Sequence, residues 1–334
     1  MSLAYYTYTP RVPMTPLLAL LTIIYMISAV GLAIFSGAIF VLILLWVIHR
    51  NNKPVLPQIS DADLPPVLIQ LPIYNEKFVV RQLLEAMIAL DYPKDRLHIQ
   101  ILDDSTDDTA SIIADLVYHY QRLGWKMTHV RRPHRIEYTA GALQYGLGEN
   151  DAPFIAIFDA DFVPAPDFLR QTIPHFLTNP KIGIVQGRWA HLNAEQNLIT
   201  RSQAMSVDGH FVIEQTARSR GGLLLSFNGT AGVWRRSCIE ESGGWTAQTT
   251  AEDLDLSFRA QMRGWKVLYL PDVAVPAELP PQIAAYKAQQ SRWAKGVTQN
   301  LFRLLGGVWR SEHLNLFQKI MATIHLFQYV TQVW

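Results

Sequence analysis

The sequence predicts an α/β fold with a mostly parallel sheet, tied to a membrane helix near its N-terminus. Three observations carry this. Short apolar runs alternate with stretches whose apolar residues recur at helical spacing, the pattern of crossover units. Several runs end abruptly in polar or acidic clusters, where open α/β sheets bind ligands. Leu17 to Ile48 holds 32 residues without a charged side chain, more than the ~20 that cross ~30 Å of hydrocarbon.

That stretch is too long for a secretory leader, whose apolar core runs ~7–15 residues. One long tilted helix with an interfacial portion is preferred to a hairpin around Ser36-Gly37. His49, Arg50 and Lys53 follow it, against Arg11 alone before it, which places the following domain in the cytosol. The chain has 334 residues and one cysteine, Cys238, so it has no internal disulfide and fits a reducing compartment. A formal charge of +1 excludes a nucleic-acid binder with a dominant basic face. The expected divisions are an anchor over 1–50, a cytosolic domain over 51–278, interface helices over 279–313 and the start of a C-terminal membrane segment over 314–334. The expected setting is a multi-pass membrane protein, a bacterial plasma membrane being preferred to the Golgi.

After a Pro/Asp/Asn-rich linker, Val67 to Leu71 is the first strand and ends in Pro72-Ile73-Tyr74-Asn75-Glu76. Val80, Leu83, Leu84, Met87 and Ile88 give the next helix one buried face. His98 to Leu102 is the second strand and ends in Asp103-Asp104. Ile112, Ile113, Leu116, Val117 and Tyr120 line a second helix, closed by Gly124. Lys126 to Val130 is a third strand, Tyr138 to Leu147 a short helix, and Phe154 to Phe158 a fourth strand ending in Asp159-Ala160-Asp161. Two carboxylates one residue apart at a strand end suit a hard divalent cation that also meets phosphate oxygens. Neither GxGxxG nor GxxxxGK[ST] occurs, so no dinucleotide fingerprint or P-loop is supported.

In the second half, Ile182 to Gln186 is a strand, Asn197 to Arg218 is helical, and Leu223 to Phe227 is a strand leading into Asn228-Gly229-Thr230. Ala251-Glu252-Asp253 opens another helix. The helix after Pro280-Pro281 carries Gln289-Gln290-Ser291-Arg292-Trp293 and mixes Ala, Tyr, Trp and Lys as a membrane-surface helix does.

The blocks LPIYNE, DDSTD, DAD, QGRW, FNGTAGVWR, AEDLDLSFRAQMRGW and QQSRW stand in one order from about Pro65 to Arg303. With them the chain resembles the family 2 inverting glycosyltransferases, in particular the cellulose-synthase-like group that includes mannan and glucomannan synthases. The resemblance implies a GT-A fold, a GDP- or UDP-hexose donor, a divalent cation (Mg²⁺ or Mn²⁺) and an acceptor hydroxyl. It places Tyr74, Glu76, Asp103 and Asp104 at the nucleoside and Asp159 and Asp161 at the metal. Asn228, Gly229 and Thr230 fall near the donor, Asp253 at the general base, and Gln289, Arg292 and Trp293 beside the diphosphate and acceptor sugar.

Two departures stand out. Thr139 replaces a usual Lys before Ala140-Gly141-Ala142-Leu143, which bears on donor binding, and Ala251 replaces a Thr beside the base. The expected activity is extension of a polysaccharide on a lipid bilayer. Transfer of one sugar to a lipid acceptor and an inactive nucleotide-sugar-binding scaffold remain as alternatives.

Overall fold

The computed structural model describes residues 15–329. The first helix, α1 (Pro16–His49), is continuous, so the hairpin alternative falls away. At 1.5 Å per residue its 34 residues extend about 51 Å, well beyond a bilayer core. The excess is a docking segment. Ala38 and Leu42 are its buried residues and pack with Ala217, Leu223 and Met321, while Leu20, Ile27 and Leu32 upstream stay exposed. Residues 16–37, about 33 Å of helix, hold no buried residue and are long enough to cross a bilayer core. Arg220 Nη1 donates to the carbonyls of His49 at 3.2 Å and Arg50 at 2.5 Å, closing the end of α1. Arg11, used to orient the helix, lies outside the described residues.

Seven strands form one sheet in the order β3-β2-β1-β4-β6-β5-β7. They are β1 (Val67–Ile73), β2 (Leu97–Asp103), β3 (Lys126–Val130), β4 (Phe154–Ile157), β5 (Ile182–His191), β6 (Gly232–Arg235) and β7 (Lys266–Ala277). All pairs are parallel except those of β6, which is antiparallel to β4 and β5. Ile69, Leu71 and Ile73 point into one core with the buried faces of α2 (Val80–Ile88), α3 (Thr109–Arg122) and α5 (Phe168–Thr178). Leu68 points into the other, which holds residues of α4 (Tyr138–Gly148), α8 (Arg236–Glu241) and α9 (Glu252–Gln261). Covered on both faces, the central strands read as unbroken apolar runs.

The chain runs from β1 outward to β2 and β3, then returns to β4 on the other side of β1. A crevice therefore opens at the carboxyl ends of β1 and β4. Because β6 runs antiparallel to β4, the loop that enters β6 arrives at that same crevice.

The expected strand at Leu223–Phe227 is not one. Its backbone is satisfied by side chains instead: Gln261 brackets Leu225 through both N–H and C=O, and the Ser257 hydroxyl accepts from Phe227 N at 3.2 Å. With those groups already paired no ladder is needed. The expected single helix over 197–218 is α6 (Leu198–Asp208), a π-helical turn (Gly209–Gln215) and α7 (Thr216–Arg220) in succession.

At the C-terminal side, α10 (Ile283–Arg310) packs on α9 and on α11 (Leu316–Phe327) around Leu254, Phe258, Leu301 and Leu304. α11 spans only about 18 Å, too short to cross a bilayer alone. Residues 330–334 of the expected C-terminal membrane segment lie outside the described residues. Among the described residues, one helix, α1, is long and apolar enough to cross a membrane.

Candidate active site

The carboxyl end of β4 places Asp159, whose backbone N–H donates to Thr230 Oγ1 at 2.8 Å, joining the acidic strand end to the Phe227–Thr230 loop. Gly229 holds φ +78°, a left-handed conformation that strains a side chain. A methyl there would stand 3.4 Å from Asp253 Oδ2, an ordinary contact distance. The turn thus lies against the start of α9. Gln186 fixes it from beneath: its buried Nε2 lies 2.9–3.2 Å from the carbonyls of Gly187, Thr230 and Ala231, and its Oε1 accepts from Asn228 N at 3.1 Å.

Glu252 and Asp253 occupy the first turn of α9, where the helix dipole favours anions. Asp253 Oδ1 accepts from Leu254 N at 2.8 Å. α10 is pressed onto this turn. Gly296 allows the contact, since a methyl there would come within 2.6 Å of Ala251 Cβ, and Asn300 donates to Ala251 O at 2.8 Å. Gln289, Arg292 and Trp293 share one face of α10 at i, i+3 and i+4.

The electrostatics show how close these groups come. Burial pushes Asp159 well above the usual carboxylate range, Asp161 and Glu252 push it further, and Arg292 opposes. Burial likewise raises Asp161 to about 6, Glu252 to about 7 and Asp253 to about 6. Glu76 is raised by burial and by Asp161. Among the described residues, Arg292 is the cation whose field reaches Asp159, Glu252 and Asp253. Three carboxylates about one guanidinium, with Asp161 beside Asp159, leave negative charge that a divalent cation would neutralise. No set of three His, Cys, Asp or Glu side chains cages a metal among the described residues. Two aspartates with phosphate and water oxygens are a donor set that Mg²⁺ or Mn²⁺ accepts, so the residues fit such an ion.

At the ends of β1 and β2, Pro72, Tyr74, Leu102, Asp104, Arg135 and Thr139 line a small open recess. The Arg135 guanidinium stacks 3.3 Å above the Tyr74 ring centre, and Asp104 is held by Arg132. Thr139, where a Lys was expected, is on this wall, and Arg132 and Arg135 provide its positive charge. Asp103 departs from expectation. Its side chain is fully buried and is not among the residues lining the recess, with one oxygen 2.8 Å from His129 Nε2 and the other accepting from Ser105 N at 2.8 Å. It braces the loop after β2 and does not line the recess.

On the opposite side, Trp293 lies 6.3 Å from Trp189, which stacks on Phe211 at 5.1 Å and meets Phe162 edge-on at 5.2 Å. Trp189, Phe211, Arg135 and Gln186 are the site residues that sequence reasoning did not single out. For Trp189 and Gln186 the QGRW block was the available signal.

The sequence profile described as Glycosyltransferase like family 2 matches residues 65–296. Glucomannan 4-beta-mannosyltransferase 7 of Arabidopsis thaliana is 44% identical over 264 residues, covering 78% of this chain and 48% of that protein. Glucomannan 4-beta-mannosyltransferase 1 of Oryza sativa subsp. japonica is 43% identical over 279 residues, covering 81% and 53%. The chain spans about half the length of these curated relatives. They are plant proteins, so the bacterial setting expected from sequence finds no support. Among solved structures, a mannosyltransferase from Pyrobaculum calidifontis in complex with GDP-Man and Mn²⁺ aligns with TM-score 0.68 at 22% identity, over 91% of this chain and 81% of that one. S. aureus TarS residues 1–349, in complex with UDP-GlcNAc, aligns with TM-score 0.57 at 14% identity, over 78% and 72%. The sheet order, its one antiparallel strand and these alignments make the fold GT-A-like. The chain belongs to the Glycosyltransferase like family 2.

Proposed function

We propose that this chain is the donor-binding and catalytic portion of a membrane-bound inverting β-glycosyltransferase that extends a mannan or glucomannan. The observation that carries it is the convergence of Asp159, Asp161, Glu252, Asp253 and Arg292 around the Gly229 turn, beside the Tyr74–Asp104 recess. The recess takes the nucleoside, and Tyr74 with the Arg135 guanidinium offers flat faces for a base. Guanine is the favoured base, in keeping with the GDP-Man complex of the Pyrobaculum calidifontis mannosyltransferase.

A divalent cation bound at Asp159 and Asp161 supplies charge neutralisation for the departing diphosphate. The chain's own groups do the rest. Arg292 faces the same charge, which grows as the anomeric C–O bond to phosphate breaks. Asp253 accepts the proton of the acceptor hydroxyl, whose oxygen forms the new bond from the opposite face of the sugar. Trp293 and Trp189 present ring faces on which an acceptor sugar can lie. Radiolabelled GDP-mannose, GDP-glucose, UDP-glucose and UDP-GlcNAc, each offered with Mn²⁺ to membranes carrying the protein, test this. Incorporation from GDP-mannose that EDTA abolishes is the expected result, and no incorporation from any donor sinks the reading.

We read His49, Arg50 and Lys53 at the end of α1 as support for a cytosolic domain. In sealed right-side-out vesicles residues 51–313 are expected to resist external protease, and cleavage there reverses the orientation.

A further inference from the structure

The π-helical turn Gly209–Gln215 sits between two α-helices and just ahead of the loop that meets Asp253. Such turns cost regular hydrogen bonding and recur at functional sites. This one gathers charges that none of the steps above uses. Glu214 Oε1 accepts from Arg218 Nε at 2.8 Å, and Glu214 Oε2 lies 3.0 Å from His210 Nδ1. His325 Nδ1, from α11, stands 3.4 Å from Glu214 Oε1, an electrostatic contact rather than a good hydrogen bond. The side chains of Arg218 and His325 are only 4% and 2% exposed.

The outer ends of the two imidazoles converge on one short segment. His210 Nε2 lies 3.3 Å from Asn228 Oδ1, and His325 Nε2 lies 3.1 Å from Ser226 Oγ. Stability alone does not call for such a network, because well-packed apolar residues often replace buried ion pairs without loss. What the network does add is a fixed place for residues 226–228. From their other side those residues are held by Gln186 and Ser257, so the two sets of bonds together leave Asn228 one position beside Gly229 and Asp253.

We infer that the Glu214-centred network is a positioning device for the Asn228 loop, with His210 and His325 as positioning residues, and that α11 is thereby a working part of the site. The inference rests on the transfer reading in one respect, that Asn228 borders the donor. It makes residues far apart in the chain, His210 and His325, act on one short segment, through Asn228 and Ser226 respectively. Neither imidazole touches the acidic cluster or Arg292, so their loss affects geometry and leaves the charges at the centre in place.

The test compares the wild-type chain with His210→Phe and His325→Phe, which keep an aromatic ring, and with His210→Gln, whose amide still offers a polar group toward Asn228 and Gln215. Both Phe variants are expected to lower kcat at least ~10-fold, since a displacement near 1 Å costs up to ~10². The melting temperature should fall, because each Phe leaves a partner of the network unpaired, so kcat is read per folded molecule, and His210→Gln should recover most of the rate. Hydrogen–deuterium exchange over residues 226–231 should quicken in both Phe variants and stay unchanged in β1 to β4. A normal kcat in folded Phe variants, or a loss that merely tracks melting temperature, overturns the proposal. If the wild-type chain transfers no sugar, the transfer reading fails, yet exchange still decides: unaltered protection of 226–231 in the Phe variants means the network positions nothing.

Discussion

Asp253→Asn is expected to transfer sugar at least ~10²-fold more slowly than wild type while binding donor and cation with near-normal affinity. Asn is the informative replacement. Asp253 is not the cap of α9, which is Ala251; it accepts from Leu254 N inside the first turn, and an Asn side-chain oxygen can accept the same bond. The variant therefore keeps that contact and removes the base. If Asp253 served only the helix start, Asn would leave turnover intact. Its neighbours separate cleanly. Asp255 is buried and locked by Arg259 at 2.8 Å and Arg303 at 2.6 Å, so its loss should damage folding rather than chemistry. Glu252→Gln should be milder than Asp253→Asn. Burial holds Asp253 up at about 6, and a base must be ionised, so wild-type kcat/KM should fall as pH drops through about 6. Turnover of Asp253→Asn equal to wild type per folded molecule removes the base from Asp253.

Asp159→Asn and Asp161→Asn should each nearly abolish transfer, and each should shrink the rise in melting temperature that Mn²⁺ gives the wild type. Both carboxylates are half-buried and repel one another and Glu252 or Glu278. Removing one relieves that repulsion, so the cation-free variants should melt at or above wild type, the mark of a site strained for function. A variant that melts lower without cation, or gains as much from Mn²⁺ as wild type, contradicts the assignment.

These effects were visible in the sequence to different degrees. β1 to β4 could be read because parallel strands buried on both faces become unbroken apolar runs, and their polar ends mark the crevice. β7 could not. It is an edge strand containing Pro271, Asp272 and Pro276, residues that a central strand would exclude. Leu223–Phe227 has the composition of a strand, but Gln261 and Ser257, some thirty residues later, take its backbone bonds, which no local pattern shows. Asp103 and Asp104 look alike in sequence, and only the position of His129 and Arg132 separates a brace from a recess wall. The pairing of His210 with Asn228, and of His325 with Ser226, depends on where α11 lands, which spacing along the chain does not encode.

The stereochemistry of the product tests the central claim most directly. Membranes carrying the protein are supplied with GDP-mannose, in which the sugar is α-linked to the diphosphate, and the products are analysed by NMR and by digestion with linkage-specific mannanases. One in-line displacement across Asp253 predicts β-linked mannose in a ladder of chain lengths. An α-linked product would contradict single displacement at this site, and a single glycolipid species would contradict polymer extension.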